Sequence, residues 1–295
     1  MPFRSFLGLM LICVAWALNV VVSKLVIGDL GVPPIFYAAL RSAVVAIALL
    51  PVFRTLPPQF FRTAAVGFAI SGGSFALLFL GLKTASPASS AIVNLSGAPL
   101  TVLFAIVLLK EKIGWRRGVG ITVTMIGVVT AIAAPSSMEA SSGLYLVAGS
   151  AAVAALGSVM LKQLDASAAQ VQAWAGLVSA VLLLPLSGIT ESGQIAAVLN
   201  GGWRFAAALG FSALIVSVAA HTAYFRMVKT YDANLIAPLT LMTPILTIGL
   251  GAWLTDDPVG PLLIAGAGIA VLGVLIIILR PARTYRRGYL VRARL

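Results

Sequence analysis

Residues 88–112 read ASSAIVNLSGAPLTVLFAIVLLKEK, and residues 233–257 read ANLIAPLTLMTPILTIGLGAWLTDD. Each runs from a proline through an aliphatic stretch and stops at charges. Pro99 and Pro244 are 145 positions apart (244 − 99), and Glu111 and Asp256 are too (256 − 111). Upstream, Lys83-Thr84 matches Lys229-Thr230 at 146. Downstream, Gly120 and Gly127 match Gly266 and Gly273, again at 146. Lys24 and Lys162 sit in similar Val/Leu surroundings. A colinear set of this kind marks an internal repeat.

The composition says what kind of chain repeats. Of 295 residues, 60% are hydrophobic and 9% charged. Soluble domains carry roughly 25% charged residues. With a mean hydropathy of +1.07, the chain cannot cover a water-facing surface of this size. Disorder needs low hydrophobicity, and Cys13 is the only cysteine, so no disulfide scaffold is available. A polytopic all-α membrane protein remains.

A span needs about 20 mostly apolar residues. Ten stretches qualify, at 5–26, 33–53, 63–83, 87–109, 115–134, 143–162, 168–190, 203–228, 234–254 and 259–279. The first lacks a small-x-small cleavage site before a soluble domain, so it reads as helix 1 and not as a removed signal peptide. The net charge of +12 then becomes an orientation signal. The side that holds the N-terminus receives Arg4, Arg54, Arg62, Lys110, Lys112, Arg116, Arg117, Lys162, Arg226 and Lys229. It also receives arginines 280, 283, 286, 287, 292 and 294 of the tail. The other side receives Lys24, Lys83 and Arg204, and Arg41 is left inside a span. Basic residues mark the cytoplasmic face, so both termini are expected in the cytoplasm. The Arg-rich tail with Tyr285 and Tyr289 reads as attraction to anionic lipid, not as nucleic-acid binding.

Five spans per half is an odd number, so the second half enters the membrane in the opposite sense. The expected units are 1–134, a linker 135–142, an inverted repeat 143–279 and a basic tail 280–295. Inverted repeats place a substrate site near the midplane between the halves.

Thr84-Ala85-Ser86-Pro87-Ala88-Ser89-Ser90-Ala91, then Pro99, then Leu109-Lys110-Glu111-Lys112, resembles the drug/metabolite transporter superfamily and its ten-helix EamA-type members. Arg41 matches a position where that family's first repeat often has arginine. Within the family the chain is similar to the YddG-like amino-acid exporters. The resemblance covers residues 5–280. It departs in the second repeat, which has no counterpart of Arg41 and whose turn Asp256-Asp257 has no basic partner. It implies a secondary transporter of the inner membrane that exports amino acids (aromatic or other neutral ones), related metabolites or amphipathic drugs by alternating access, and a cavity suited to a zwitterion with an apolar side chain. The last helix of each repeat would lie outside the cavity.

Enzyme signatures are missing. His221 is the only histidine, which removes a multi-histidine metal site. There is no G-x-S-x-G and no P-loop, and all eight acids fall at or near span ends or in loops. No cofactor is implied. The partners implied are a small-molecule substrate and the bilayer, with the oligomeric state open. A lipid or nucleotide-sugar flippase and a channel-like scaffold are the other readings; a channel would show rings of charge or filter carbonyls.

Polar groups inside spans are expensive and so are candidates for the site. Arg41 either holds a carboxylate or pairs with backbone carbonyls. His221 either bonds substrate or moves protons, or else bonds a neighbouring helix; Tyr224, three residues on, shares its face. Trp16 and Asn19 share a face of helix 1. Ser71, Ser74, Phe75, Leu78 and Phe79 form a stripe on helix 3 that suits a ligand wall or plain packing. Ser90, Asn94 and Ser96 on helix 4, and Thr240 and Thr243 on helix 9, complete the candidate cavity. Pro99, Pro238 and Pro244 break helix hydrogen bonds and read as hinges or static kinks. Gly67, Gly72, Gly73, Gly114, Gly118, Gly120, Gly127, Gly266, Gly268 and Gly273 let helices approach closely.

Overall fold

A computed structural model describes residues 2–110, 113–133, 138–161, 163–231, 236 and 239–278. The expected roles of Pro238, Lys162, Glu111, Lys112 and the tail therefore lie outside the described residues. Among the described residues there is no strand, and beside a short 3-10 helix at Leu50–Arg54 there are ten main helices. They are α1 (Phe3–Gly28), α2 (Pro34–Ala48), α3 (Phe60–Gly81), α4 (Pro87–Leu109), α5 (Trp115–Ile132), α6 (Met138–Leu161) and α7 (Ala168–Thr190). Next comes α8, which runs through Gln194–Gly210, Phe211–Ala220 and His221–Thr230. The last two are α9 (Met242–Leu254) and α10 (Pro261–Ile278).

Local chemistry explains the boundaries. Pro87 opens α4, and the Ser86 hydroxyl accepts the Ser89 N–H at 3.1 Å, a standard start signal. Ser167 and Gln170 close a reciprocal capping box on α7. Helix α8 starts earlier than expected because Gly202, at φ 50°, joins an extra turn from Gln194 to the spanning part. Only glycine takes that left-handed bend at little cost. Large apolar side chains such as Ile47, Val107, Val181, Ile189 and Leu272 face outward, as on a lipid-facing surface and not on a soluble monomer.

The packing repeats as the sequence does. Helices α5 and α10 pair, as do α2 and α7, and α4 and α9. Helix α1 lies against α8 and α9, while α6 lies against α3 and α4; α2 meets α8, while α7 meets α3. Exchanging the two halves turns this pattern into itself. Local distortions obey the same exchange. Helix α3 widens into a π turn at Ala69–Gly73 and α8 at Phe211–Ala220, which overlap under a shift of 146. Lys110 (φ 54°) and Asp256 (φ 49°), also 146 apart, are the non-glycine residues with positive φ among the described residues. At this turn Asp256 thus corresponds to Lys110, one residue off the Glu111 match expected, because Thr255 is inserted between the end of α9 and the turn.

Pro99 cannot donate to the Leu95 carbonyl. The Ala98 N–H takes that carbonyl at 3.2 Å instead, and α4 breaks at Leu95–Ser96. Helix α9 begins after a turn at Leu241, which is Ser96 shifted by 145. The paired discontinuities are thus present at both prolines.

The glycines divide into two groups. A Cβ on Gly127 would meet Gly266 O at 2.6 Å and Ala270 Cα at 2.8 Å, and one on Gly266 would meet Gly127 O at 2.9 Å. Gly120 and Gly273 face each other similarly. Helices α5 and α10 therefore touch backbone to backbone across a self-complementary seam. Gly67 and Gly72 of α3 press on Ala175 and Ser179 of α7. Gly114, Gly118 and Gly268 have no neighbour within 4 Å, so the close approach expected of them is absent: they lie off the seam.

Candidate functional site

A cavity of about 250 Å³ lies between α3, α7 and α8 and reaches Ala166 in the turn between α6 and α7. Ser71 and Phe75 of α3 face Ser217 and His221 of α8 across it. Ser71 shifted by 146 is Ser217, and Phe75 shifted by 146 is His221, so equivalent positions of the two halves form the walls. Both pairs lie on or just after the π segments, where i→i−4 bonding is broken and side chains bond further back. The Ser217 hydroxyl donates to Ser212 O at 2.8 Å, and His221 Nδ1–H donates to Val216 O at 2.7 Å. Such distortions are frequent at functional sites.

Arg41 of α2 sits behind this wall and is 2% exposed. Its Nε donates to Ser217 Oγ at 2.9 Å. Its guanidinium carbon lies 3.7 Å from the centre of the Phe75 ring and 5.9 Å from that of Phe79. Nη1 and Nη2 are buried without a hydrogen-bond partner among the described residues. Of the two expectations for Arg41, pairing with backbone carbonyls is thus not what the structure shows. The ring contact contributes about 2 kcal/mol when desolvated, well short of what burying an uncompensated charge costs.

Trp16, His221 and Tyr224 pack together, with ring centroids 5.3 Å apart for Trp16–His221 and 5.0 Å for Trp16–Tyr224. Trp16 also lines a second cavity of about 300 Å³ between α4 and α9, with Asn94, Thr240, Thr243 and Pro244. The Trp16–His221 contact is therefore the partition between the two cavities. Asn19 and Ser90 are buried; Asn19 Oδ1, Ser90 Oγ, Ser96 Oγ, Thr243 Oγ1 and Trp16 Nε1 have no hydrogen-bond partner among the described residues.

Not every candidate reaches a cavity. Ser74 Oγ donates to Ile70 O at 2.6 Å, and its carbonyl accepts from Ser150 Oγ at 2.7 Å, so Ser74 joins α3 to α6. Leu78 and Phe79 belong to the buried core, with Phe79 against Tyr37 at 4.9 Å. The π turn rotates this part of the stripe away from the cavity that Ser71 and Phe75 line. Ser217, Gln172 and Tyr37 escaped the sequence reading. Ser217 was findable as the equivalent of Ser71; Tyr37, whose hydroxyl hydrogen-bonds to the Ser212 hydroxyl at 2.7 Å, carries no such signal.

On the face opposite the α6–α7 turn, two acids tie the halves together and a lysine braces the first half. Glu191 at the end of α7 accepts the Ile35 and Phe36 N–H groups of α2 at 2.8 and 2.9 Å. Asp257 beyond α9 accepts the Ala88 N–H of α4 at 2.8 Å and the Thr255 hydroxyl at 2.8 Å. Lys24 donates to Leu82 O and Ala85 O, past the end of α3, at 2.8 and 3.1 Å. Acids thus cap two helix N-termini and a cation caps a C-terminus, each the sign a helix end favours. Burial pushes the Asp257 carboxyl up, while the Ala88 N–H and the Thr255 hydroxyl pull it down. A hydrogen bond to a charged group contributes about 1.5–3 kcal/mol, so Asp257→Asn should open this face about tenfold more often. The reporter is Ala85→Cys, a buried position, in a Cys13→Ser background. Maleimide labelling from that face should rise with Asp257→Asn; equal rates would reject the latch.

A family model described as "EamA-like transporter family" matches residues 4–133 and again residues 141–279. A "Probable amino-acid metabolite efflux pump" of Salmonella typhimurium is 26% identical over 289 residues, covering 92% of this chain and 93% of that protein. The protein of the same description from Escherichia coli K12 is 24% identical over 279 residues, covering 90% and 92%. "Uncharacterized transporter YyaM" of Bacillus subtilis is 25% identical over 229 residues, covering 72% and 73%. One solved crystal structure superposes with a TM-score of 0.63 at 19% identity, covering 94% of this chain and 98% of its own, which shows the shared fold. With both halves matched and nearly the whole length covered, this integral membrane protein belongs to the EamA-like transporter family, a family of transporters and not of enzymes.

Proposed function

We propose that this transporter exports small amino-acid-type metabolites across an inner membrane by alternating access. The two halves, 1–134 and 143–279, act as inverted repeats, and both termini lie in the cytoplasm. The observation that carries the reading is the cavity wall built from equivalent positions, Ser71 and Phe75 against Ser217 and His221. A site shared by two rocking repeats has this construction. The positive-inside charge pattern supports a cytoplasmic α6–α7 turn; in that orientation the cavity is reached from inside while the Glu191, Asp257 and Lys24 ties close the outside. Pro99 and Pro244 are where the paired helices would bend. The relatives described as amino-acid metabolite efflux pumps support the substrate class.

The test is counterflow in proteoliposomes across amino acids, nucleosides, sugars and cationic drugs. Saturable, competable exchange of amino-acid-type compounds is expected. Linear, unsaturable flux would indicate a channel, and lipid scrambling a flippase. His221 is the histidine on the cavity wall, where its Nδ1–H donates to Val216 O at 2.7 Å. His221 is the one ionisable side chain among the described lining residues, so His221→Ala should flatten the pH dependence of exchange. An unchanged profile would remove it as a coupling group.

A further inference from the structure

We propose that the cavity selects substrates of net negative charge, a carboxylate on an apolar or aromatic body, over zwitterions and cations, with Phe75 as the movable cover of the Arg41 guanidinium. This rests on the transport reading above and narrows its substrate.

Arg41 has two unpartnered buried nitrogens, Nη1 and Nη2, on the same edge of a planar fork. That edge is the one a carboxylate takes bidentately. No carboxylate among the described residues answers it. Glu191 and Asp257 hold helix N-termini on the far face. Asp29, Asp165 and Asp256 sit in turns. Glu111, Glu139 and Asp232 fall at or near span ends in the sequence. Among the described residues, those that line the cavity include no carboxylate, and the positive charge of Arg41 stands directly behind them. A ligand carboxylate supplies the missing counter-ion. The ammonium of a zwitterion finds no carboxylate there and meets the field of Arg41, while the Trp16, His221 and Tyr224 rings are packed on one another. A cation meets only repulsion.

Phe75 explains how the charge is kept until needed. Its ring lines the cavity and carries the guanidinium at 3.7 Å. It follows the π turn Ala69–Gly73, where the helix has an extra residue of slack. Swinging this ring aside exposes Arg41 to the cavity, and a carboxylate then takes its place. Binding of the anion is thereby coupled to a rearrangement of α3 against α2.

The test uses the full chain purified in detergent, with matched ligands: N-acetylphenylalanine (anion), phenylalanine (zwitterion) and phenylalanine amide (cation). The corresponding leucine series runs in parallel. Binding is read by thermal shift and by tryptophan fluorescence. The anion should bind about tenfold more tightly than the zwitterion, and the cation most weakly. Arg41→Gln should erase the order, and Phe75→Leu should tighten the anion by removing the aromatic cover. A zwitterion binding as tightly as its anion, or an order unchanged in Arg41→Gln, overturns the proposal. If none of these ligands binds yet counterflow of amino acids is saturable, the charge assignment alone fails. If neither occurs, the transport reading fails with it.

Discussion

Arg41→Met should unfold at a higher temperature than the native protein while losing nearly all exchange. The two outcomes have one cause. A guanidinium that is 2% exposed, with two unpartnered nitrogens, is held in place against its own desolvation. Replacing buried ionic groups by apolar ones of similar volume is often stabilising by about 1–4 kcal/mol. Met fills much of the same space against Phe75 and Phe79 without a charge. For chains of this order, 1 kcal/mol moves the midpoint by about 2–4 °C, so an increase of several degrees is expected in detergent. Exchange needs the charge, so it should fall about a hundredfold, the loss of one charge-assisted bidentate contact. Arg41→Lys keeps the charge but not the planar fork, and should fall between the two in exchange. A lower midpoint for Arg41→Met would mean that Arg41 holds the fold together, and the site reading would go with it.

Gly127→Leu should prevent the protein from accumulating in a folded form. The added side chain would meet the Ala270 backbone and Gly266 O of α10, and backbone cannot step aside as a flexible side chain does. Overpacking in a tight core costs about 1–3 kcal/mol when side chains can adjust, and here two helices must separate along the whole seam. Gly273→Leu strikes Thr124 and Gly120 O from the other helix and should fail equally. Gly118→Ala and Gly268→Ala are the controls within the same two helices. Among the described residues a Cβ at either would meet nothing within 4 Å, and loss of chain entropy in the unfolded state makes them neutral or stabilising by about 0.5–1 kcal/mol. Size-exclusion profiles and thermal midpoints of the four variants separate a seam from a general dislike of change. Tolerance of Leu at 127 would dismiss the seam.

These predictions draw on different layers of information. The helices and their ends were legible because apolar length, proline and charge act locally. Pro87, Ser86 and the Ser167–Gln170 pair determine where helices start without reference to anything distant. The repeat was legible because equivalent helices carry equivalent breaks: Pro99 with Pro244, Gly120 and Gly127 with Gly266 and Gly273. Candidate site residues were legible as polar groups out of place, which is why Arg41, His221 and Trp16 could be named.

Which of those groups meet was not legible. Ser74, Leu78 and Phe79 have the same helical spacing as Ser71 and Phe75, yet a π turn sends them to the α3–α6 contact and the core. Gly118 and Gly268 read like Gly120 and Gly266 and touch nothing. The Glu191 and Asp257 caps reach helices 155 and 169 positions away, a separation no local pattern encodes. Sequence alone determined the all-helical membrane class, the repeat and the charge asymmetry, because each follows from the cost of polar or charged groups in lipid. Only the tertiary structure decided that Arg41 has no counter-ion among the described residues, that Phe75 covers it and that one face is latched. Those depend on how distant helices rotate against each other, and that rotation is set by packing between backbones.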